Sequence, residues 1–219
     1  MKDARLEILT FTLGPAQTNA YLVADPAARA AVVIDPAWDG AMLAGEAERR
    51  GWRIQAIWLT HAHFDHFAGS PELSESLKTP VPIALHPADQ FLWRANGLAG
   101  LFGVRGIDPG PEPTVPLEHG GRLWLGRHEF EVRHSPGHTP GHVLFLLREE
   151  GIAFCGDLIF RDSVGRTDLP GGDWMTLQGS LRMEILSLPD AYRLLPGHGL
   201  ETTVGQERRG NPFLEELPE

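Results

Sequence analysis

The fold is decided by the stretch THAHFDHFAG, residues 60–69, which directly follows an apolar run, Ile57–Leu59. It holds four side chains of the metal-ligand type within six residues: His61, His63, Asp65 and His66. His61 and His63 are two apart, so in an extended segment they point to the same side. Asp65 and His66 are adjacent, so they cannot both continue that pattern unless the chain turns. The layout predicts two neighbouring metal-binding positions where a strand ends and a loop begins.

Three later segments repeat this context, in which an apolar strand stops at a ligand-type residue beside glycine. They are SPGHTPGH around His138, FCGD around Asp157 and LLPGHG around His198. Glycine lets the backbone bend close to a site, and the strand end directs the side chain towards it. A structural zinc site would use cysteines, and the chain has only Cys155. The mixture of histidine and carboxylate therefore indicates a catalytic metal site.

The composition limits the classes of partner. With 219 residues, of which 42% are hydrophobic, the chain is long enough for a well-packed core, and we expect one domain over residues 1–219. A formal net charge of -10 argues against a nucleic-acid or anionic-membrane partner, since those need clustered Lys and Arg. No run approaches the ~20 apolar residues of a membrane span, and the N-terminus lacks a signal-peptide pattern. We therefore expect a cytoplasmic protein, and the single cysteine fits that compartment.

Hydrophobic periodicity predicts a mixture of strands and helices. Strands are predicted at residues 6–13, 20–24, 31–34, 54–59, 128–134, 143–147, 152–155 and 192–195. Helices are predicted at 39–50, at 70–77 with Ser70 as N-cap, at 87–96, and from Asp173 to the proline at 189. Residues 97–113 are rich in Gly and Pro and are predicted to form a loop, serving as a lid or an interface.

Taken together, the motifs THAHFDH, SPGHTPGH, FCGD and PGHG, in this order, resemble the metallo-β-lactamase superfamily and, within it, the glyoxalase II-like hydrolases. The resemblance extends to GRTDLPGG after Asp157 and to the tail PGHGLETTVGQERRGNPFL, so it covers nearly the whole chain. It implies an α+β fold, a four-layer αββα sandwich of two mixed sheets with helices outside. The predicted order of strands and helices is compatible with that fold.

The resemblance also implies how the ligands divide between two divalent metal ions. His61, His63 and His138 would bind the first ion, Asp65, His66 and His198 the second, and Asp157 would bridge them. Five imidazoles and two carboxylates exceed the four ligands that one zinc prefers, which agrees with two ions. Zinc is the expected metal, although iron or manganese suits the same ligands.

The activity implied by the resemblance is hydrolysis of a thioester such as S-lactoylglutathione, by a hydroxide that bridges the two metals. The chemistry favours a thioester over an amide, because a thiolate with a pKa near ~8.5 leaves without a proton. An amine leaving group generally needs an acid catalyst, and none stands out in the motifs; Asp65 and a metal-bound water are the alternatives for shuttling a proton. The expected partner is therefore a small-molecule substrate.

One departure from the family pattern concerns substrate binding. Longer members carry a C-terminal helical domain whose basic residues hold the glutathione carboxylates, whereas only 21 residues follow His198 here. We therefore expect no such domain, and the substrate-binding residues are not identified. Arg105, Arg161 and Arg166 are alternatives near the motifs, but exposed surface charge is the default for arginine and is favoured for Arg105 and Arg161.

Residues around the motifs are expected to support the ligands. His142 lies four after His138 and either orients a ligand or makes a structural hydrogen bond. Arg166 and Asp168 are expected to brace the loop beside Asp157. By the resemblance, Asn19 fixes a turn beneath the site. Cys155 is expected to be a buried strand residue. The histidines without a motif are expected to be structural or exposed: His86, His119, His128 and His134.

Other functions fit parts of the sequence. A persulfide dioxygenase with one iron resembles this chain at THAHFDH and GRTDLPGG, but that branch does not keep the last histidine as a ligand, so His198 favours two metals. A hydrolase of another ester, a lactone or a lactam is a second alternative. A non-catalytic metal-binding module is an alternative of another class, which the full set of seven ligands disfavours. The sequence does not determine the oligomeric state.

Overall fold

The structure is a computed structural model that describes residues 5–215. The chain divides into two compact units, of which the first takes in residues up to 117 together with 124–128. The second takes in residues 118–123 and those from 129 onward. The single domain expected over residues 1–219 stays a prediction. Among residues 5–215, no helix is long and apolar enough to cross a membrane.

The first unit is built on a six-stranded sheet in the order β1-β2-β3-β4-β5-β6. Its strands are β1 (Glu7–Leu13), β2 (Thr18–Asp25), β3 (Ala30–Ile34), β4 (Arg53–Trp58), β5 (Ile83–Leu85) and β6 (Val115–Pro116). Its helices are α1 (Gly40–Arg49), α2 (Phe64–Phe67), α3 (Ser70–Ser76) and α4 (Gln90–Arg94), with 3₁₀ turns at Pro87–Asp89 and Asn96–Phe102.

Parallel pairing in this sheet gathers three chain segments at one edge. Strands β3 to β6 run parallel, with Ile34 opposite Trp58 and Trp58 opposite Ala84. The carboxyl ends of parallel strands meet at the same edge of a sheet, which is where open α/β sheets place their ligands. The residues that follow these strands, Asp35 and those from Thr60 and His86 onward, are therefore neighbours in the fold.

The second six-stranded sheet has the order β14-β13-β10-β9-β8-β7. Its strands are β7 (Arg122–Leu125), β8 (His128–His134), β9 (Val143–Leu147), β10 (Ile152–Gly156), β13 (Arg193–Pro196) and β14 (Thr202–Thr203). A two-stranded hairpin, β11 (Ile159–Phe160) and β12 (Ser163–Val164), follows β10. The helices are α5 (Trp174–Ser180), which continues as a π-helical turn (Leu181–Ile185), α6 (Val204–Gly210) and α7 (Pro212–Glu215), with a 3₁₀ turn at Arg148–Glu150.

The second unit likewise gathers three segments at one edge of its sheet. Strands β10 and β13 are parallel, so the residues after Gly156 and after Pro196 emerge side by side. Strand β9 is antiparallel to both β8 and β10, which brings the β8–β9 connection to that same edge. His138, Asp157 and His198 lie on these three segments.

Each unit has its own apolar core. The first is filled by fully buried side chains of the sheet and its helices, including Leu22, Val33, Ile57, Phe67 and Trp93. The second is filled by residues that include Leu144, Cys155, Leu177, Ile185 and Leu194. The stripe predicted for the helix that begins after Asp173 is confirmed, since Leu177, Leu181 and Ile185 are fully buried.

Local expectations were wrong at several points. Gly69, not Ser70, is the N-cap of α3, and no side chain caps that helix. The helix predicted at 87–96 is divided, because Asn96 has a positive φ and ends the regular helix. The expected role of Asn19 stays a prediction, and the structure shows only where Asn19 lies. It lies within β2, where its Oδ1 accepts a hydrogen bond from Thr12 of β1, its pairing partner, at 2.9 Å.

Candidate metal centre

The candidate metal ligands of the first unit lie in the ligand loop, residues 60–66, between β4 and α2. His61 and His63 belong to its extended part, and His63 has an extended backbone just before α2 begins at Phe64. The turn into α2, closed by a hydrogen bond from the His66 amide to the His63 carbonyl, brings Asp65 and His66 out of strand alternation. The turn required by the sequence pattern is therefore present.

The three histidines of the loop are buried, and the four candidate ligand side chains lie close together. The ring centroids of His61 and His63 are 4.8 Å apart, and those of His61 and His66 are 4.0 Å apart. Asp65 Oδ2 lies 3.7 Å from His66 Nε2. The distance between Asp65 Oδ2 and His66 Nε2 fits two ligand atoms on one metal, since two ligand atoms about 2.1 Å from one zinc are about 3.4 Å apart in a tetrahedral site.

A buried carboxylate, Asp35, holds the loop from behind. It accepts hydrogen bonds from the Thr60 amide at 2.8 Å and from the Thr60 hydroxyl at 2.6 Å. Its Oδ2 is also 3.0 Å from His66 Nδ1, so this nitrogen carries the hydrogen. The Thr60 hydroxyl donates its hydrogen to Asp35, so its oxygen accepts a hydrogen bond from His61 Nδ1 at 3.1 Å. Both histidines therefore present Nε2 as the atom that would bind a metal.

Two further contacts position the loop. The hydroxyl of Thr18 donates to Asp65 Oδ2 at 2.8 Å, which sets the rotation of that carboxylate. The fully buried Asp89 accepts a hydrogen bond from the Ala62 amide at 3.1 Å, between the first two histidines. None of Asp35, Asp89 or Thr18 was identified from the sequence. The available signal was an aspartate directly after a buried strand, as in the run Val32–Asp35.

The candidate metal ligands of the second unit are centred on Asp157. Its Oδ2 lies 3.5 Å from His138 Nε2 and 3.5 Å from His198 Nε2. Each distance is close to the ~3.4 Å expected for two ligand atoms on one metal. One carboxylate oxygen thus stands between two histidine nitrogens at metal-sharing distance from both. The donor set and its spacing therefore fit divalent metal ions.

Hydrogen bonds also determine how the histidine rings of the second unit are oriented. His138 Nδ1 donates to the Arg166 carbonyl at 2.7 Å, which presents Nε2 towards Asp157. His142 Nε2 accepts a hydrogen bond from the Asp157 amide at 3.1 Å, so its Nδ1 carries the hydrogen and contacts Ser135 Oγ at 2.9 Å. His142 thus connects the backbone amide of Asp157 to the side chain of Ser135.

Gly165 allows the chain after β12 to pack closely against Asp157. A Cβ added at Gly165 would lie 1.9 Å from the Asp157 carbonyl oxygen and 3.2 Å from His138 Nδ1. Only glycine allows the chain after β12 to pass this close. The hairpin of β11 and β12 also contacts His198, since the rings of Phe160 and His198 have centroids 5.8 Å apart.

The tip of that hairpin is anchored by a buried carboxylate in the C-terminal helix α6. Glu207 accepts hydrogen bonds from the Asp162 amide at 2.8 Å, from Asn211 Nδ2 at 2.9 Å and from the Thr202 hydroxyl. Asn211 also donates to the Ser163 carbonyl at 3.0 Å. The tail segment therefore supports the chain that packs on Asp157 and His138.

The remaining predicted residues make other contacts. Arg166 and Asp168 form a bidentate ion pair on the surface, which lowers the pKa of Asp168 to about 2. It is the Arg166 carbonyl, not its guanidinium, that touches a ligand. Arg161 donates to the Glu201 carbonyl. Burial raises the pKa of the Cys155 thiol, in keeping with a buried strand cysteine.

Histidines outside the motifs have structural contacts, as expected. His86 Nδ1 accepts from the Ala88 amide at 3.2 Å, and His119 Nδ1 accepts from the His134 amide at 3.3 Å. His134 Nε2 donates to the Pro140 carbonyl at 2.8 Å. The buried His128 lies 3.9 Å from Asp25.

Comparison with known sequences agrees with this geometry. The family described as "Metallo-beta-lactamase superfamily" matches residues 13–198. "Hydroxyacylglutathione hydrolase GloC" of Haemophilus influenzae is 37% identical over 199 residues, which cover 90% of this chain and 93% of that protein.

Two solved structures are similar over nearly their whole length. The BLEG-1 B3 metallo-beta-lactamase is 37% identical with a TM-score of 0.88, covering 95% of this chain and 99% of that one. TTHA1623 in a di-iron-bound form is 46% identical with a TM-score of 0.84, covering 94% and 100%. The α+β fold with two sheets predicted from the sequence is confirmed by these similarities.

Proposed function

The chain belongs to the metallo-beta-lactamase superfamily of metal-dependent hydrolases, and from this premise we propose that it hydrolyses thioesters with two divalent metal ions. In this proposal His61, His63 and His138 hold the first ion. Asp65, His66 and His198 hold the second, and Asp157 bridges the two. The observation that carries the proposal is the position of Asp157 Oδ2, 3.5 Å from Nε2 of both His138 and His198.

Two ions held by these residues would lower the pKa of a bound water and polarise the carbonyl oxygen of the substrate. The protein contributes fixed ligand orientations. Asp35 and Thr60 keep Nε2 of His66 and His61 directed at the site, and the Arg166 carbonyl does the same for His138. Such contacts limit the reorganisation that metal binding requires.

Asp65 is the residue we assign to proton transfer. Its side chain is 14% exposed, and Thr18 fixes its rotation. In hydrolysis the water oxygen joins the acyl carbon, the C–S bond breaks and sulfur leaves with the bonding electron pair. The proton released by the water then passes through the Asp65 carboxylate to solvent or to the thiolate. A thiolate does not require that proton in order to leave, which is why the proposal names a thioester.

The similarity to the hydroxyacylglutathione hydrolase supports a thioester substrate. Zinc is the proposed metal, and the relative in a di-iron-bound form makes iron the main alternative. A dioxygenase with a single iron would not need His198, whose Nε2 stands at metal-sharing distance from Asp157. A lactam substrate is the second candidate, because the BLEG-1 lactamase has a closely similar fold.

The test is steady-state turnover by protein loaded with zinc, iron or manganese, together with metal analysis. Substrates are S-lactoylglutathione, other thioesters, lactones and β-lactams. We expect two ions per chain and thioester cleavage well above that of His138→Ala. Cleavage of lactams alone would replace the proposed substrate class, and one iron per chain with oxygen consumption on a persulfide would replace the reaction.

A further inference from the structure

The structure has an apolar surface beside the ligand loop, formed by Leu101 and Phe102 at the end of the 3₁₀ segment Asn96–Phe102. Leu101 is 63% exposed and Phe102 is 47% exposed. Both belong to the sequence NGLAGLF, which has no charged residue. We refer to these two side chains as the apolar face.

This segment packs directly on the ligand loop. A Cβ added at Gly97 would lie 2.2 Å from the amide nitrogen and 2.5 Å from the Cα of Phe64, so the two backbones are in contact. Phe64 stands between the ligands His63 and Asp65. The ring of Phe102 in turn lies against the ring of Phe64, with centroids 5.7 Å apart. The apolar face is therefore continuous with the loop that carries four of the proposed ligands.

An uncommon backbone holds the face in this place. Asn96, Gly97 and Leu98 all have positive φ, of 52°, 58° and 63°. Leucine rarely adopts this conformation, and backbone strain of this kind concentrates at functional sites. The buried rings of Phe67 and Trp93 pack against each other beside the segment, tilted by 43° with centroids 4.6 Å apart. A Cβ added at Gly100 would meet no atom of the described residues within 4 Å, so there is room next to the face.

Resting on the proposed thioester hydrolysis, we propose that the apolar face binds an apolar chain of the substrate. A chain attached to the reacting thioester would cover Leu101 and Phe102 and remove their surface from water. The charged residue that most closely precedes the segment in the sequence is Arg94, whose Nε forms an ion pair with Glu112 Oε1 at 3.5 Å. The surface therefore suits an aliphatic or aromatic group better than the carboxylates of glutathione.

The apolar chain has two sources, the acyl group and the thiol, and the experiment separates them. In one arm, N-acetylcysteamine thioesters carry acyl chains of about two to eight carbons. In the other, acetyl is kept and the thiol is varied from N-acetylcysteamine to hexanethiol and benzyl mercaptan. For the arm in which the chain reaches the face, kcat/KM of metal-loaded enzyme should rise by about twofold to fourfold per methylene. The other arm should stay nearly flat.

Phe102→Ala should remove most of that rise, so that kcat/KM of the variant depends little on chain length. Phe102→Leu should restore part of the rise. The matched control is Phe91→Ala, because Phe91 is 48% exposed on α4 and is nearly as accessible as Phe102. Metal content and melting temperature identify a variant that has merely lost its fold. The S-octyl thioether of N-acetylcysteamine, which has no carbonyl group and so cannot be hydrolysed, should bind metal-loaded wild type more tightly than the Phe102→Ala enzyme.

Arg105 provides the opposing test, because it is the nearest exposed cation after the face. If Arg105→Gln lowers kcat/KM more than Phe102→Ala does for all thioesters, charge and not apolar contact selects the substrate, and the inference is wrong. Thioester cleavage that is flat in both chain series also overturns it, while leaving the proposed function intact. If no thioester is cleaved at all, both proposals fail together.

Discussion

The two halves of the proposed site are built in opposite ways. In the first unit four ligands come from one run of six residues, and a carboxylate outside the ligand set, Asp35, holds the run from behind. In the second unit three ligands come from three distant segments, and a carboxylate inside the set, Asp157, stands between the other two. The contiguous ligands of the first unit are thus positioned by a carboxylate that is not a ligand, Asp35. The dispersed ligands of the second unit are positioned around a carboxylate that is itself a proposed ligand, Asp157.

This difference locates the weak point of each half. Removal of the Asp35 carboxylate should leave all four proposed ligands of the first unit present but less well oriented. Loss of the central carboxylate in the second should remove a ligand of both ions at once. The largest effect is therefore expected in the second unit.

Asp157→Asn should lower metal content from two ions towards none and reduce kcat/KM by about 10³-fold or more, as for other variants that remove an essential group. Metal analysis after gel filtration and thioester turnover measure both effects. Asp162→Asn, in the hairpin that follows, is the control and should keep two ions. Full occupancy in Asp157→Asn would show that the second unit is not organised by its carboxylate.

Asp35→Asn should weaken metal binding by about 10-fold to 100-fold, because contacts of this type orient ligands without touching the metal. Asparagine tolerates the left-handed backbone of Asp35, whose φ is 49°, so the change is confined to the hydrogen bonds. Competition with a chromogenic chelator measures the dissociation constant.

The control for this variant is Asp39→Asn. Asp39 has the same φ of 49° but is exposed and makes no side-chain cap to α1. Equal affinity losses in the two variants would mean that backbone conformation, and not support of His66 and Thr60, explains the effect.

Gly165→Ala should destabilise the second unit by about 1–3 kcal/mol, because its Cβ would collide with the Asp157 carbonyl. Gly179→Ala in α5 should instead stabilise the protein by about 0.5–1 kcal/mol, because its Cβ meets no described atom within 4 Å and alanine favours helix. Thermal unfolding of the metal-free proteins tests the opposite signs. A stable Gly165→Ala protein would show that the Asp157 segment adapts more easily than its close packing indicates.

The smallest effect is expected for Asp168→Asn. The hydrogen bonds from Arg166 hold the pKa of Asp168 at about 2, below its unfolded value, so the pair stabilises the protein above that unfolded pKa. The contribution is lost as pH falls through about 2. Because the pair is exposed and screened by salt, the melting temperature at neutral pH should fall by no more than about 2 °C. Metal affinity should not change, since Arg166 contacts His138 through its carbonyl. A tenfold weaker affinity would contradict this separation.

The two halves of the proposed site were not equally predictable from the sequence, because the residues of one are contiguous and those of the other are dispersed. The first half was readable from spacing alone, because His61 to His66 are contiguous and the turn into α2 is local. Assigning His138, Asp157 and His198 to one centre required the resemblance, since strand pairing brings them together across long separations. Asp35 and Asp89 were missed because a single aspartate after a strand carries no specific pattern. The hairpin Ile159–Val164 was missed because each of its strands has only two residues.

The contact between Gly97 and Phe64 has a consequence for engineering. It divides the segment Asn96–Phe102 into one position that the ligand loop does not allow to vary and others that face outward. A library that keeps Gly97 and randomises Leu101 and Phe102 would explore substrate preference while the ligand loop keeps its neighbour. A library that includes position 97 would confound altered selectivity with a displaced metal ligand.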